Sequence, residues 1–563
     1  MQTIQTTLDQ AFRTAIREAV GTEADPLLTP ATNAQFGDYQ SNVAMSLAKA
    51  QKTNPRAMAE QIKAKLQLGE VASEITIAGP GFLNVRLNPH WVAGQLQSII
   101  PDRRLGIEPV EKKQTVVVDY SAPNVAKQMH VGHLRSSVIG DAIARVLDFE
   151  GHAVIRQNHI GDWGTQFGML IAFTKGGIAA THIEDLEQFY RDAKQKFDAD
   201  PAFADEARKT VVRLQAHNAE ELALWRTIVD ETRRHYQPIY ERLGVKLRPE
   251  HERGESFYNP MLADVVADLK AKGIAKESEG AIAVFTEGFE NPLIVEKTGG
   301  GYLYATTDLA AIRYRVKELH ADRIIYTHDS RQAQHFAQVF QTARKASFAG
   351  NTQLDYAPFG TMLGADGKPF KTRSGETVKL KDLLDEAEER ALAVVNQKNA
   401  ELPEEQKKAI AHAVGIGGVK YADLSKDRIS DYVFDWDKML AMDGNTAPYL
   451  QYAHARIKSI MRKAEGRSQK AEVKLDSPYE LALGKHVLRL GEILESVARE
   501  LKPHILCTYL YDLATKYSAF YENCPVIQSE EPVRSSRLAL CDLAARTMEI
   551  GLDLLGIEHP DQM

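Results

Sequence analysis

One stretch narrows the possible folds more than any other: an apolar run, Thr115–Tyr120 (TVVVDY), a loop, a helical pattern, and a second apolar run. Val138/Ile139, Ala142/Ile143 and Val146/Leu147 recur at helical spacing and predict a helix over Leu134–Glu150, with Gly151 placed to stop it. Ala153–Arg156 then opens the next strand. Strand, helix, strand order of this kind joins parallel neighbours through a crossover. An α/β fold with a parallel sheet follows, and ligands are expected at the carboxyl ends of its strands.

The rest of the chain supplies the surroundings. At 563 residues it is too long for one core. Helical patterns at Ile4–Val20 and Asn42–Leu68, broken near Pro55, precede strands at Glu74–Ala78 and Phe82–Leu87 across a Gly79-Pro80-Gly81 turn. Pro101–Arg104 suits a linker. Residues 183–247 are charged and helical in pattern, an insertion. Alternation resumes with strands near Ala281–Phe285, Leu293–Lys297 and Arg323–Thr327 and helices near Asp308–Leu319 and Gln332–Lys345. From Lys408 the pattern is helical almost throughout, with Asn445-Thr446-Ala447-Pro448 opening one long helix. The expected division is 1–103, a small α/β unit; 104–407, the parallel-sheet domain with its insertion; and 408–563, all helical.

Composition excludes several classes. Apolar content of 44% and charged content of 26% are those of a soluble globular protein, and no apolar stretch suits a signal peptide or a membrane span. The three cysteines (Cys507, Cys524, Cys541) lie late without metal-site spacing, so free thiols in the cytoplasm and no metal centre are expected. A net charge of −7 argues against indiscriminate nucleic-acid binding. A local basic run remains: Arg456, Lys458, Arg462, Lys463, Arg467 and Lys470, with Glu465 the only acid among them.

His130-Val131-Gly132-His133 stands between the strand and the helix. Gly132 permits close approach of a phosphate, helix-end amides favour negative charge, and two imidazoles can donate to phosphoryl oxygens in a transition state. Alone, four such residues are more often a helix start that carries two histidines. The longer run Asp119–Arg135, with its SxPNxAK lead-in Ser121–Lys127, resembles the HIGH region of class I aminoacyl-tRNA synthetases, and more narrowly the arginyl-tRNA synthetases. Asn158-His159-Ile160-Gly161-Asp162-Trp163-Gly164 continues the resemblance, which runs the length of the chain.

This resemblance implies a Rossmann-type catalytic domain with helical insertions, an additional N-terminal tRNA-binding domain and a helical anticodon-binding domain. ATP, L-arginine and tRNA(Arg) would be the substrates, with Mg2+ screening the phosphates and no membrane partner; a monomer is expected. Pro123, His130, Gly132 and His133 would face ATP. The second phosphate-binding loop falls at Lys368–Gly375, where the final lysine of the KMSKS pattern is not matched. Lys127, Lys371 and Arg373 are the cations that would share its role.

A guanidinium is always charged and presents forked donors, so its pocket should hold carboxylates. Tyr304 and Asp308, four apart where a helix begins, match the family's arginine site together with Gln332 of Asp329-Ser330-Arg331-Gln332. On the residues alone, Asp308 could equally cap that helix and Tyr304 be sheet core. Asp119, Ser121 and Asn124 match positions around the amino and carboxylate end, and the resemblance also counts His133 as arginine-binding; Glu255 is a further candidate, or a surface acid. For tRNA, Tyr449 and Tyr452 lie on one face of a helix start where they could stack unpaired bases, followed by Arg456. The resemblance adds Met563 to the anticodon pocket and Phe36–Gln40 with Gly81–Asn84 to the grip on the tRNA elbow.

Overall fold

The computed structural model describes residues 2–125, 127–176, 186–298, 300–371, 378–464 and 472–563. At the N-terminus, α1 (Ile4–Val20) is capped by Thr3 and buries Ile4, Leu8, Phe12, Ala15 and Ile16 along one stripe. The second helical pattern splits into α2 (Val43–Gln51) and α3 (Pro55–Lys65), because Asn54 caps a new start with Pro55 in its first turn. An antiparallel sheet in the order β1 (Leu28–Pro30), β2 (Tyr39–Ser41), β4 (Phe82–Leu87), β3 (Ala72–Ala78) backs them. The two short strands show no period in the sequence. α4 (Pro89–Ile99) leads out.

The expected strand, helix, strand unit is β5 (Thr115–Asp119), α5 (Val131–Phe149) and β6 (Ala153–Gln157). With β10 (Arg323–Tyr326) and β11 (Gln353–Tyr356) these strands form a parallel sheet, ordered β11-β10-β5-β6 among the described residues. Val117 pairs with Ile155 on one side and Ile324 on the other. Gly140 lets α5 lie on β5, since a Cβ there would stand 2.3 Å from the Cβ of Tyr120. α6 (Thr165–Lys175) precedes the insertion, which contributes α7 (Leu186–Ala199), α8 (Pro201–Gln215) and α9 (Ala219–Arg242), followed by α10 (Glu255–Tyr258) and α11 (Leu262–Ala271).

One expectation is corrected. The strands foreseen near 281 and 293, β8 (Ala281–Val284) and β9 (Leu293–Glu296), do not join the parallel sheet. They pair antiparallel with β7 (Ala275–Ser278), because Glu279 and Gly280 both take positive φ and close a two-residue hairpin. Alternation resumes with α12 (Tyr304–Lys317), α13 (Ala333–Lys345) and β12 (Met362–Leu363).

Two long helices follow, α14 (Leu380–Lys398) and α15 (Glu404–Leu424). A short strand, β13 (Tyr432–Val433), pairs with β12 before α16 (Trp436–Met439), α17 (Ala447–Lys463), α18 (Pro478–Val487), α19 (Leu490–Glu500), α20 (His504–Asn523) and α21 (Val533–Leu554). Thr446 caps α17 with Pro448 in its first turn, as the sequence predicts. Contrary to separate cores, the largest apolar cluster runs from Leu8 and Val85 through Val138 of α5 to Leu450, Leu510 and Leu552. Polar ties cross the same interfaces. Arg135 of α5 meets Asp423 of α15 at 3.0 Å with both side chains buried, and Tyr39 donates to Glu492 of α19 at 2.6 Å. No helix of the described residues is long and apolar enough to cross a membrane.

Candidate active site

α5 begins at Val131, three residues before its apolar period shows, so the two histidines form the helix start itself. Gly132 N–H donates to His130 Nδ1 at 3.0 Å, and His130 N–H donates to His133 Nδ1 at 3.1 Å. Each Nδ1 is thus an acceptor, which leaves the proton of a neutral ring on Nε2. Burial, then the cations Lys127 and Arg331, hold His130 below its ordinary pKa; burial and His130 push His133 down to about 3. These are neutral donors at the positive end of a 19-residue helix. A side chain at position 132 would meet the His130 ring at 2.7 Å, so the glycine keeps the cap intact.

The lead-in is held under strain. Ser121 and Ala122 adopt φ of +73° and +47°, positions that cost free energy outside glycine. Ser121 N–H donates to Ser136 Oγ of α5 at 2.8 Å, and Ala122 N–H to Asn158 Oδ1 at 3.0 Å. Ser121 Oγ lies 2.7 Å from the Tyr240 hydroxyl and accepts from Ser137 Oγ at 2.9 Å. The Ser121 hydroxyl thus helps to fix the loop, with α9 of the insertion reaching in to hold it. Pro123 is buried, and its carbonyl accepts from Gly161 N–H at 3.1 Å.

At the carboxyl ends of β5, β6 and β10 lies a cavity of about 210 Å³. Its walls include Asp119, Asn124, His159, Glu255, Tyr304, Asp308, His328, Gln332 and His335. Asp119 Oδ2 pairs with buried Arg315 at 2.6 Å. Burial opposes ionisation there, yet the Arg315 guanidinium holds the carboxyl well below the usual range. Asp119 Oδ1 has no donor at hydrogen-bonding distance among the described residues. Burial, then Asp162 and Asp308, pushes Glu255 up to about 7. Because α12 starts at Tyr304, Asp308 sits in its second turn and is not a cap. Tyr304 is 63% exposed and is not sheet core. The cavity therefore gathers Asp119, Asn124, Glu255, Tyr304, Asp308 and Gln332, whereas His133 stands at the helix start beside it.

His159, His328, His335 and Tyr240 were not singled out from the sequence. A usable signal existed for two of them: His328 follows β10 closely and His159 follows β6, where a parallel sheet presents its ligand-facing residues.

Lys127 is exposed, with its ammonium 5.0 Å from the centre of the Tyr190 ring on α7. Lys371 is exposed, and Arg373 lies outside the described residues. The chain beyond that loop returns to the histidines: Val131 N–H donates to Val378 O at 3.1 Å, and Leu380 N–H to Met129 O at 2.9 Å.

Toward the other end, Tyr452 is 47% exposed, Tyr449 leans on Tyr511 at 5.8 Å, and the Arg456 guanidinium covers the Tyr521 ring at 4.5 Å. The basic run is less free than its sequence implies. Lys458 pairs with Glu549 at 3.1 Å, Arg462 donates to Asp561 O at 3.2 Å, and Arg467 and Lys470 lie outside the described residues. The final segment follows α17, with Gln451 donating to Glu558 O at 2.7 Å, and Met563 packs against the cluster of Ala391, Val395 and Ile410. Asn84 lies within β4. It is 2% exposed in a strand paired on both edges, and its Oδ1 accepts from Gln40 at 2.7 Å. In the Phe36–Gln40 stretch only Phe36 is a large exposed side chain, while Asp38 meets Lys485 of α18 at 2.8 Å.

A parallel sheet whose first strand leads into a histidine-capped helix has the catalytic layout of a class I synthetase. Residues 95–436 match the family described as tRNA synthetases class I (R), catalytic domain; residues 450–563 match the DALR anticodon binding domain, and 2–87 the arginyl tRNA synthetase N terminal domain. The chain is 51% identical over 581 residues to an arginine–tRNA ligase of Synechococcus, covering 99% of each. It is 50% identical over 572 residues to that of Chromobacterium violaceum, covering all of both. The crystal structure of the Plasmodium falciparum arginyl-tRNA synthetase matches with a TM-score of 0.89 at 30% identity over the whole of both chains. The chain belongs to the arginyl-tRNA synthetase family.

Proposed function

We propose that the Asp119–Asp308 cavity holds L-arginine while ATP lies across His130, Gly132 and His133. The enzyme is an ATP-dependent arginine–tRNA ligase. The arginine carboxylate attacks the α-phosphate of ATP, giving arginyl-adenylate and pyrophosphate; the 3′-terminal adenosine of tRNA(Arg) then takes the arginyl group and AMP leaves. The single observation that carries the arginine reading is the gathering of Asp119, Glu255 and Asp308 around one small cavity at the strand ends. With Asp119 balanced by Arg315, Asp308 and ionised Glu255 leave negative charge that calls for a cationic ligand, and Asp308 beside the exposed Tyr304 suits a planar guanidinium. Asn124 and Asp119 face the amino and carboxylate end.

For adenylation the protein supplies placement and electrostatics. The Nε2–H groups of His130 and His133, with the amides at the start of α5, stabilise charge building on the phosphate oxygens. Lys127 and Lys371 add positive charge, with Arg373 in the same loop. Mg2+ arrives with ATP: the charged groups that act on His130 are Lys127 and Arg331, which suit phosphate and not a metal. Tyr449, Tyr452, Arg456 and Met563 receive the anticodon loop. We read 1–103, 104–407 and 408–563 as the three functional parts, and the enzyme as a cytoplasmic monomer. Three buried free thiols fit a reducing compartment.

Asp308→Asn tests the arginine assignment. Losing the charge of this partly buried acceptor should raise the KM for arginine roughly 10- to 100-fold and leave the KM for ATP within about threefold. Equal losses for both substrates contradict it.

A further inference from the structure

We propose that His335 is a positioning residue for arginine recognition, acting through Asp308 and Tyr304. The inference rests on the assignment of Asp308 to the arginine site. His335 stands in the first turn of α13, and its Nε2 lies 2.6 Å from Asp308 Oδ2, with each side chain 14% exposed. A carboxylate oxygen only accepts, so Nε2 carries the proton and donates. Among the described residues no other donor is at hydrogen-bonding distance of Asp308.

Asp308 needs such a hold. Glu255 shares its cavity, and once ionised it presses the Asp308 carboxylate to turn away. A guanidinium fork requires both acceptor directions of the carboxylate to be in place before it arrives. One donor at Oδ2 fixes the plane of the group and leaves Oδ1 and the second lone pair of Oδ2 for the ligand. The same imidazole packs against the Tyr304 ring at 4.7 Å between centroids, and Phe336 meets it edge-on at 5.2 Å. Tyr304 thus has its back to His335 and an open face to the cavity. One histidine sets both walls between which a planar cation would lie.

The test is steady-state arginylation by the full chain with saturating tRNA, comparing His335→Ala, His335→Gln and Asp308→Asn. His335→Ala should raise the KM for arginine roughly tenfold, with kcat and the KM for ATP near the parent values. His335→Gln, whose amide N–H can reach Asp308, should restore most of the arginine KM. Parallel rises in both KM values in the two His335 variants overturn the proposal. So does an arginine KM unmoved by His335→Ala while Asp308→Asn raises it. An arginine KM unmoved by both Asp308→Asn and His335→Ala overturns the assignment of Asp308 and the proposal with it.

Discussion

Glu255 shows how one residue takes its properties from its surroundings. Its carboxyl, at the first position of a four-residue helix, is pushed up to about 7 by burial and then by Asp162 and Asp308. Below that value it is neutral and adds nothing to the attraction for a cation; above it, it is a third negative charge in the cavity. The KM for arginine should therefore fall as pH rises from about 6 to 8, and Glu255→Gln should flatten that change. A variant with the parent's full slope would assign the titration to another group. At this scale Asp119, Asn124, Tyr304, Asp308 and Gln332 were singled out through the resemblance and the spacing of its motifs, and the cavity brings the five together. What the spacing could not show is direction. Ser121 and Asn84 fall in matching stretches, yet the side chain of each is turned inward, to Tyr240 and Gln40 respectively.

At the scale of elements, α5 is held at both ends. Its start is capped by the histidines, and at its end Val110 N–H donates to the carbonyl of the C-cap, Glu150, at 2.8 Å, while the Glu150 carboxyl faces Glu495 of α19. Burial, then Glu495, raises Glu150 from 4.5 to about 7, against the pull of Arg323. The fold thus favours its protonated form. That contribution is fully present below the unfolded value near 4.5 and lost as pH rises through about 7. Glu150→Gln should be more stable than the parent by about 1–3 kcal/mol at pH 8 and nearly equal to it near pH 5, measured by chemical denaturation. A variant less stable at both would contradict the sign. Long periodic helices and the strands β5, β6 and β10 could be read directly. β1, β2 and β12 could not, being too short for a period to show. The hairpin β7–β8 turns on two positive φ angles at Glu279-Gly280, and only the glycine signals this locally.

Over the whole molecule, parts far apart in sequence are tied through α5 and the C-terminal helices. Lys420 of α15, fully buried, donates to the carbonyls of Leu243 and Gly556, while Arg145 of α5 pairs with Asp141 at 2.6 Å and donates to Asp553 O at 3.1 Å. The catalytic helix, the end of the insertion and the last helix thus meet at one polar hub. The N-terminal unit joins through Asp38 and Tyr39 to α18 and α19. Such ties fix relative placement more than they add stability. The catalytic, anticodon-binding and N-terminal domains are thus joined through shared buried contacts. The central claim, that this chain serves arginine and its tRNA, is tested most directly by charging total tRNA with each amino acid in turn, in the presence of ATP and Mg2+. The expected result is attachment of arginine alone. Failure to attach arginine, or attachment of another amino acid at a comparable rate, would contradict it.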